Sequence, residues 1–223
     1  MSPIRILLID DHAIVREGYR ALLEKQPQFH VVAEADNAQK AYQLFQSIHP
    51  DIVILDISLP GQSGLEAIKR IRQFDNNARV IVFSMHQNPS FAIQATRAGA
   101  LGYITKSSDP TLLIRSIFDV LENKVSLSPD IAQALAIEKL GHNQMRLDDL
   151  TVREFEILRL LLEARPHHQI GEMLNISTKT VSNAHYIIKR KLDVNSDIEL
   201  TRLAIRMRLL DLRELINEAD ESN

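Results

Sequence analysis

The chain has no cysteine among its 223 residues. That excludes disulfides, thiol nucleophiles and thiolate metal sites, and it fits a reducing compartment. No apolar run approaches the roughly 20 residues needed to cross a bilayer. The start of the chain carries no secretory pattern, because Ile4 to Ile9 runs straight into Asp10 and Asp11. These absences set the expectation of a cytoplasmic protein with no membrane contact. Surplus positive charge is missing too: the formal net charge is −3. Its distribution says more than its sum. Between Ser177 and Leu192 the only charged residues are Lys179, Lys189, Arg190 and Lys191, whereas the tail after Leu210 sets five acids against Arg213. A local basic face survives in an acidic chain. What remains is ordinary, 45% hydrophobic and 25% charged, and the length suits two modest domains, each able to bury a core.

One stretch organises the first half. In Asp51-Ile-Val-Ile-Leu-Asp56 an apolar run meets a single carboxylate and then breaks into Ser, Pro and Gly up to Gly64, the pattern of a buried strand that delivers Asp56 to its C-terminal end. Asp10 and Asp11 end the run Ile4–Ile9 in the same way. In an open parallel sheet the ligand crevice lies outside those ends. Three carboxylates meeting there repel one another unless a cation shares them, and oxygen-only ligation suits Mg²⁺. Phosphoryl chemistry on Asp56 is the expectation.

Up to about residue 122, short apolar runs alternate with helical patterns. Strands are expected at Ile4 to Ile9, His30 to Glu34, Ile52 to Leu55, Val80 to Phe83 and Gly102 to Ile104, with helices starting near Ile14, Asn37, Gly64, Pro89 and Pro110. Five βα units predict a doubly wound, five-stranded parallel α/β sheet covered on both faces. Ser84 and Lys106 then fall on the edge that carries the three acids.

This set, Asp10-Asp11, Asp56 before Leu59-Pro60-Gly61 and Gly64, Ser84, and Ala98-Gly-Ala-Leu-Gly-Tyr-Ile-Thr-Lys106, resembles the receiver domain of two-component response regulators. The resemblance implies that Asp56 accepts a phosphoryl group from a histidine on a sensor kinase or phosphotransfer protein. A carboxylate attacking an anion needs neutralising charge, which fits Mg²⁺ held by Asp11, Asp56, Asp10 through water and the Ser58 backbone carbonyl. Lys106 offers a second positive charge to the phosphoryl oxygens and Ser84 a hydroxyl. The resemblance further implies a switch in which Ser84 moves toward the phosphate and Tyr103 turns inward. Three residues depart from the common pattern: Ser58, Met85 and Ser107. A bulky Met85 that narrows the path of water predicts a phosphoryl lifetime longer than seconds.

Residues 123–147 break the alternation and read as a partly helical linker. Ser126-Leu-Ser-Pro129 is extended, Asp130 to Leu140 helical with Ile131, Leu135 and Ile137 on one face, and Gly141, His142 and Asn143 end it. From Leu147 the period is helical throughout. Thr151 and Glu154 form a capping box before Phe155, Leu158 and Leu162. Helices about His168 to Leu174, from Thr178 to Leu192, and from near Asp197 follow. Two helices joined by a tight turn, the second basic, predict a small all-α helix-turn-helix domain.

Leu150 to Leu158, Ile170 to Val181 and Lys191-Leu192-Asp-Val194 are similar to the LuxR-type DNA-binding domain of the NarL/FixJ regulators. Ser128-Pro-Asp-Ile-Ala-Gln and Ser196 to Ala204 look most like the GacA/UvrY branch. Phosphate contacts are then expected from Lys179, Lys189, Arg190 and Lys191 with Thr178 and Thr180, and base contacts, by position in the motif, from Ser182, Asn183 and Tyr186. Val181, Ile188 and Leu192 read as core. Adjacent His167 and His168 read as a solvated helix start, and His12 as the opening of the first helix.

The resulting expectation is a transcriptional response regulator, not an enzyme. It comprises a receiver over 1–122, the linker over 123–147, the helix-turn-helix over 148–210 and an acidic tail over 211–223. It is expected to form a homodimer on promoter DNA when phosphorylated, with RNA polymerase as a further partner. The amphipathic tail reads either as a longer last helix or as a dimer contact. Two rivals stand beside this reading. One is a protein-binding adaptor with a non-productive helix-turn-helix, suggested by Ser182, Ala184 and Pro166; the other is a phosphoester hydrolase on the same sheet.

Overall fold

Branched apolar residues in runs too short for a helix, each closed by a turn, fold as strands that bury both faces. In the computed structural model, which describes residues 2–59, 63–140, 146–207 and 209, they do so as β1 (Ile4–Ile9), β2 (Phe29–Ala35), β3 (Ile52–Leu55), β4 (Val80–Ser84) and β5 (Gly102–Thr105). Between them lie α1 (Ala13–Glu24), α2 (Ala38–Ile48), α3 (Gly64–Phe74) and α4 (Pro89–Ala98), with α5 (Pro110–Leu121) after β5. Pro at the first turn and an Asx cap start α4 and α5, where Asn88 and Asp109 accept from Ser90 and Thr111 backbone N–H groups. Every residue of β3, β4 and β5 is buried.

The sheet is parallel in the order β2-β1-β3-β4-β5-β6. The sixth strand is an addition to the expected five. β6 (Ser126–Leu127) pairs with β5, Gly102 opposite Ser126 and Tyr103 opposite Leu127, and α6 (Pro129–Leu140) follows directly. This helix lies against α4 and β5. Ile131 is fully buried, Leu135 half-buried and Ile137 exposed, so one of the three apolar residues expected on its packing face carries the contact. The compact first unit accordingly runs to Leu140, which brings much of the expected linker into the receiver. Gly141, His142 and Asn143 lie outside the described residues.

The second unit, 141–223, is helical as far as it is described. A short 3₁₀ turn (Arg146–Asp149) leads into α7 (Val152–Leu162), α8 (His167–Leu174), α9 (Thr178–Leu192) and α10 (Asp197–Arg206). The capping box forms: the Glu154 N–H donates to Thr151 Oγ1 at 3.2 Å and the Thr151 N–H to Glu154 Oε2 at 2.7 Å. Asn175 ends α8 in the left-handed region at φ 52°, and Ser177 caps α9 by accepting from the Thr180 N–H at 3.1 Å. That three-residue turn is tight. A Cβ on Gly171 would stand 2.8 Å from the Ile176 carbonyl oxygen, so only glycine fits there. Phe155, Leu158, Ile170, Val181, Ile188, Leu192 and Leu200 form the buried core, each contributing about 1.5–3 kcal/mol relative to exposure. The acidic tail lies outside the described residues. Among those described, no helix is long and apolar enough to cross a membrane.

Candidate functional site

Register decides which residues meet at the sheet edge. β1 and β3 align Ile9 with Leu55, and the Asp56 N–H donates to the Ile9 carbonyl at 2.9 Å, so Asp10 and Asp56 leave neighbouring strands side by side. The strand order reverses at this point, with β2 on one side of β1 and β3 on the other. It is where a doubly wound sheet opens its crevice. Ser84 and Thr105 are likewise aligned on β4 and β5, and the Lys106 N–H donates to the Ser84 carbonyl at 2.8 Å. The four positions therefore share one edge.

Asp10 and Asp56 are almost fully buried, 3% and 4% exposed. Two carboxylates in that setting need a cation. Lys106 supplies it: its ammonium donates to Asp10 Oδ2 at 2.6 Å and also to Asp56 Oδ2. Burial alone would pull the Lys106 ammonium down, but Asp56 and Asp10 outweigh it and hold the group above its ordinary value. The other Asp56 oxygen accepts the Ser58 N–H at 2.9 Å. Gly64 is what lets this loop close. A Cβ there would stand 2.5 Å from Ile57 Cα and 2.6 Å from the Asp56 carbonyl oxygen. Pro60 and Gly61 of the same expected motif lie outside the described residues.

The donor set suits a hard divalent cation. Asp10, Asp11 and His12 bring ligand atoms within 4.8 Å of one another, and Asp11 Oδ1 is buried without a hydrogen bond, facing the His12 Nδ1 at 2.9 Å. Carboxylate oxygens from Asp10 and Asp11 gathered at one point fit Mg²⁺ better than any softer metal. His12 does more than open a helix, since its backbone N–H also donates to Asp10 Oδ1 at 2.9 Å.

Tyr103 is 1% exposed and donates to the His86 carbonyl at 2.9 Å. Burial pushes its phenol far above the ordinary value, opposed in part by Ser84. The ring thus already points inward in this structure. Met85, by contrast, is 62% exposed, so the bulk expected beside Ser84 projects largely into solvent. The residue that sequence reasoning missed is its neighbour. His86 stacks flat on Phe91 with centroids 4.1 Å apart, places Nε2 3.0 Å from the Ser58 hydroxyl, and directs its N–H at Ser84 Oγ at 3.3 Å. It ties the Asp56 loop, the end of β4 and Tyr103 together. Only its place two residues after Ser84 pointed to it.

On the helix-turn-helix, Thr178, Lys179, Thr180, Ser182, Asn183, Tyr186 and Arg190 are exposed, and Arg190 lies over the Tyr186 ring at 5.8 Å. Two of the expected phosphate-binding lysines are engaged within the domain. Lys191 Nζ donates to Glu154 Oε2 at 2.6 Å and to the Asp149 carbonyl at 3.0 Å, and Lys189 Nζ to Asp197 Oδ1 at 2.9 Å. Burial would raise the Glu154 carboxyl, yet the Lys191 and Thr151 bonds override it and hold it below the ordinary range. A count of charges along α9 cannot see these partners. His167 is also not a solvated helix start: it is half-buried, with Nδ1 3.1 Å from Ser182 Oγ and Nε2 3.1 Å from His185 Nδ1. His168 is exposed.

Comparison with known proteins divides the chain into the same two parts. The family model for the response regulator receiver domain matches residues 6–118, and that for bacterial regulatory proteins of the luxR family matches 148–204. The response regulator UvrY of Escherichia coli K12 is 32% identical over 217 residues, covering 96% of this chain and all of the relative. The response regulator GacA of Pseudomonas aeruginosa is 32% identical over 210 residues, covering 93% and 98%. Among solved structures, RcsB from Salmonella enterica serovar Typhimurium, bound to promoter P1flhDC in the presence of the phosphomimetic BeF₃⁻, is 25% identical. It covers 91% of this chain and 98% of its own, with a TM-score of 0.75.

Proposed function

Because the chain belongs to the two-component response regulators with a LuxR-type DNA-binding domain, on the GacA/UvrY branch, we propose that phosphorylation of Asp56 drives it to dimerise on promoter DNA. The donor is a sensor histidine kinase or a phosphotransfer protein, and the setting is the cytoplasm. The observation that carries the reading is one buried pair: Asp10 and Asp56 side by side at the switch point, bridged by a single lysine.

The residues divide the work. Asp56 is the nucleophile, and the Ser58 N–H fixes one of its oxygens so that the other faces the crevice. Asp10, Asp11, Asp56 and the Ser58 backbone carbonyl would hold Mg²⁺, which when bound neutralises the incoming phosphoryl oxygens. Lys106 moves its ammonium from carboxylate to phosphoryl oxygen with little cost, since both are anions at hydrogen-bond distance. The Ser84 hydroxyl then leaves the His86 N–H for the phosphoryl group, and Tyr103, held on the His86 carbonyl, feels that change directly. The reaction ends on the protein itself, so the chain is a phosphoacceptor and not an enzyme. Dimerisation follows from the small footprint of one recognition helix: two modules on two half-sites multiply affinity. Contact with RNA polymerase is the remaining step to transcription.

Native mass and DNA affinity of the full chain, with and without beryllofluoride and Mg²⁺, test this. The wild type is expected to shift from monomer to dimer and to tighten on its DNA, whereas Asp56→Asn responds in neither quantity. No change in the wild type supports the adaptor reading instead.

A further inference from the structure

Residues 10–12 belong neither to β1 nor to α1, so no ladder or helix orients the peptide that joins Asp10 to Asp11. Bonds from neighbouring elements do so instead. The Asp10 N–H donates to the Ala35 carbonyl at the end of β2, at 3.1 Å. The Asp10 carboxylate is held as well, Oδ1 accepting the His12 N–H at 2.9 Å and Oδ2 the Lys106 ammonium at 2.6 Å. Its remaining polar group is the carbonyl of the peptide that leads into Asp11. That oxygen accepts from Arg16 Nη1 at 2.6 Å.

Arg16 reaches the carbonyl because of its place on α1. It lies one turn into the helix, where a side chain tilts back toward the N-terminus and so toward residues 10–12. The guanidinium is gripped from its other side. Arg16 Nε donates to Glu34 Oε2 at 2.9 Å, and the second Glu34 oxygen takes Arg20 Nη1, also at 2.9 Å. Glu34 stands on β2 next to Ala35. Asp10 is therefore tied to the end of β2 twice, by its N–H through Ala35 and by its C=O through Arg16 and Glu34. Arg16 and Glu34 are half-buried, whereas Arg20 is exposed. A planar fork that serves a carbonyl and a carboxylate together is a geometry that lysine does not copy.

Resting on the reading of Asp10, Asp11 and Asp56 as a Mg²⁺ site, we propose that Arg16 is a positioning residue for that metal. It fixes the Asp10–Asp11 peptide, and with it the direction in which Asp11 presents its carboxylate. Groups that orient a metal ligand from behind are worth about ten- to a hundredfold in affinity. Charge alone has the opposite sign. A guanidinium near a dication repels it, so removing an Arg16 that acted only as a charge would tighten Mg²⁺.

Mg²⁺ affinity of the full chain, read by displacement of Mn²⁺ with electron paramagnetic resonance counting the free ion, tests this. Arg16→Met is expected to weaken Mg²⁺ about tenfold. Arg20→Met removes an equal charge from the same Glu34 but no bond to the Asp10 carbonyl, and stays within about twofold, as an exposed ion pair should. Circular dichroism confirms folding. If Arg16→Met does not fold, Arg16→Lys, which keeps the charge and loses the fork, is expected to bind Mg²⁺ more weakly than the wild type. Unchanged or tighter binding in the folded Arg16 variant, or an equal loss in Arg20→Met, overturns the proposal. Phosphoryl uptake from acetyl phosphate gives a second readout. In the Arg16 variant the half-saturating Mg²⁺ concentration should rise while the rate at saturating Mg²⁺ changes little; a lower saturated rate at an unmoved half-saturation means a merely loosened fold and refutes the positioning role. A wild type that neither binds Mg²⁺ nor takes up phosphoryl refutes the metal-site reading and this inference with it, whereas a failure confined to the Arg16 variants leaves that reading standing.

Discussion

Asp130 Oδ2 accepts the Thr105 hydroxyl at 2.9 Å, bonding the first turn of α6 to the residue beside Lys106. Ser108 shares the same hydroxyl at 2.7 Å, and two residues back the Ser128 N–H donates to the Tyr103 carbonyl at 3.0 Å. The segment after α5 is thereby stitched to the strand that carries Tyr103 and leads into Lys106. Asp130→Ala is expected to destabilise the first unit by about 1.5–3 kcal/mol, the range for a hydrogen bond to a charged group. In denaturant titrations the double variant with Thr105→Val should be little worse than the worse single one; additive losses would show that the pair does not interact.

Lys106→Met leaves two buried carboxylates without their cation. At neutral pH it should cost about 3–5 kcal/mol. Denaturant titration of the variant beside the wild type at neutral pH checks the size of the loss. In the wild type the raised Lys106 value makes the contribution depend on pH from the alkaline side. Its contribution is complete below the ordinary lysine range and lost as pH climbs through the folded value.

Gly64→Ala drives a methyl group into the Ile57 Cα and the Asp56 carbonyl. Because the obstacle is backbone, the loop holding Asp56 must move, at about 1–3 kcal/mol. Phosphoryl uptake from acetyl phosphate with Mg²⁺, followed on phosphate-affinity gels, should slow far more than stability falls. Uptake at the wild-type rate would mean that the loop tolerates displacement.

The second unit should lose stability in mild acid. His185 is depressed in the fold, so between its folded value and the ordinary histidine value the unfolded chain binds the extra proton. Stability there rises with pH, is complete above the ordinary histidine value, and is lost as pH falls through that window. Thermal unfolding of the full chain at pH 7.5 and 5.5 should lower the transition of this unit, and His185→Gln should flatten the dependence.

Residues whose roles depend on local pattern were readable in advance. The five main strands, the capping box at Thr151 and Glu154, and the bounds of α9 follow from apolar period and side-chain caps within one or two turns. So did the gathering of Asp10, Asp56, Ser84 and Lys106 on one edge, because strand ends in a parallel sheet have only one place to meet. What stayed hidden depends on distant partners. β6 is two residues long, too short for any periodicity, and exists because β5 offers it an edge. Lys191 finds Glu154 from 37 positions away and His167 finds His185 from 18, separations over which a charge count or a neighbour rule carries no information. Tyr103 was expected to turn inward, and its ring is already buried with the hydroxyl on the His86 carbonyl, a partner 17 positions away that no local pattern reveals.

The short β6 also marks where this molecule can be taken apart. Recombination that grafts the receiver onto another output domain has its natural seam after Leu140, where the compact unit ends, not after α5. A graft cut at residue 122 would hand over a sheet whose last strand shows bare N–H and C=O groups, a template for any other strand that drifts by. Such a chimaera would keep its phosphoacceptor chemistry and yet stick to itself.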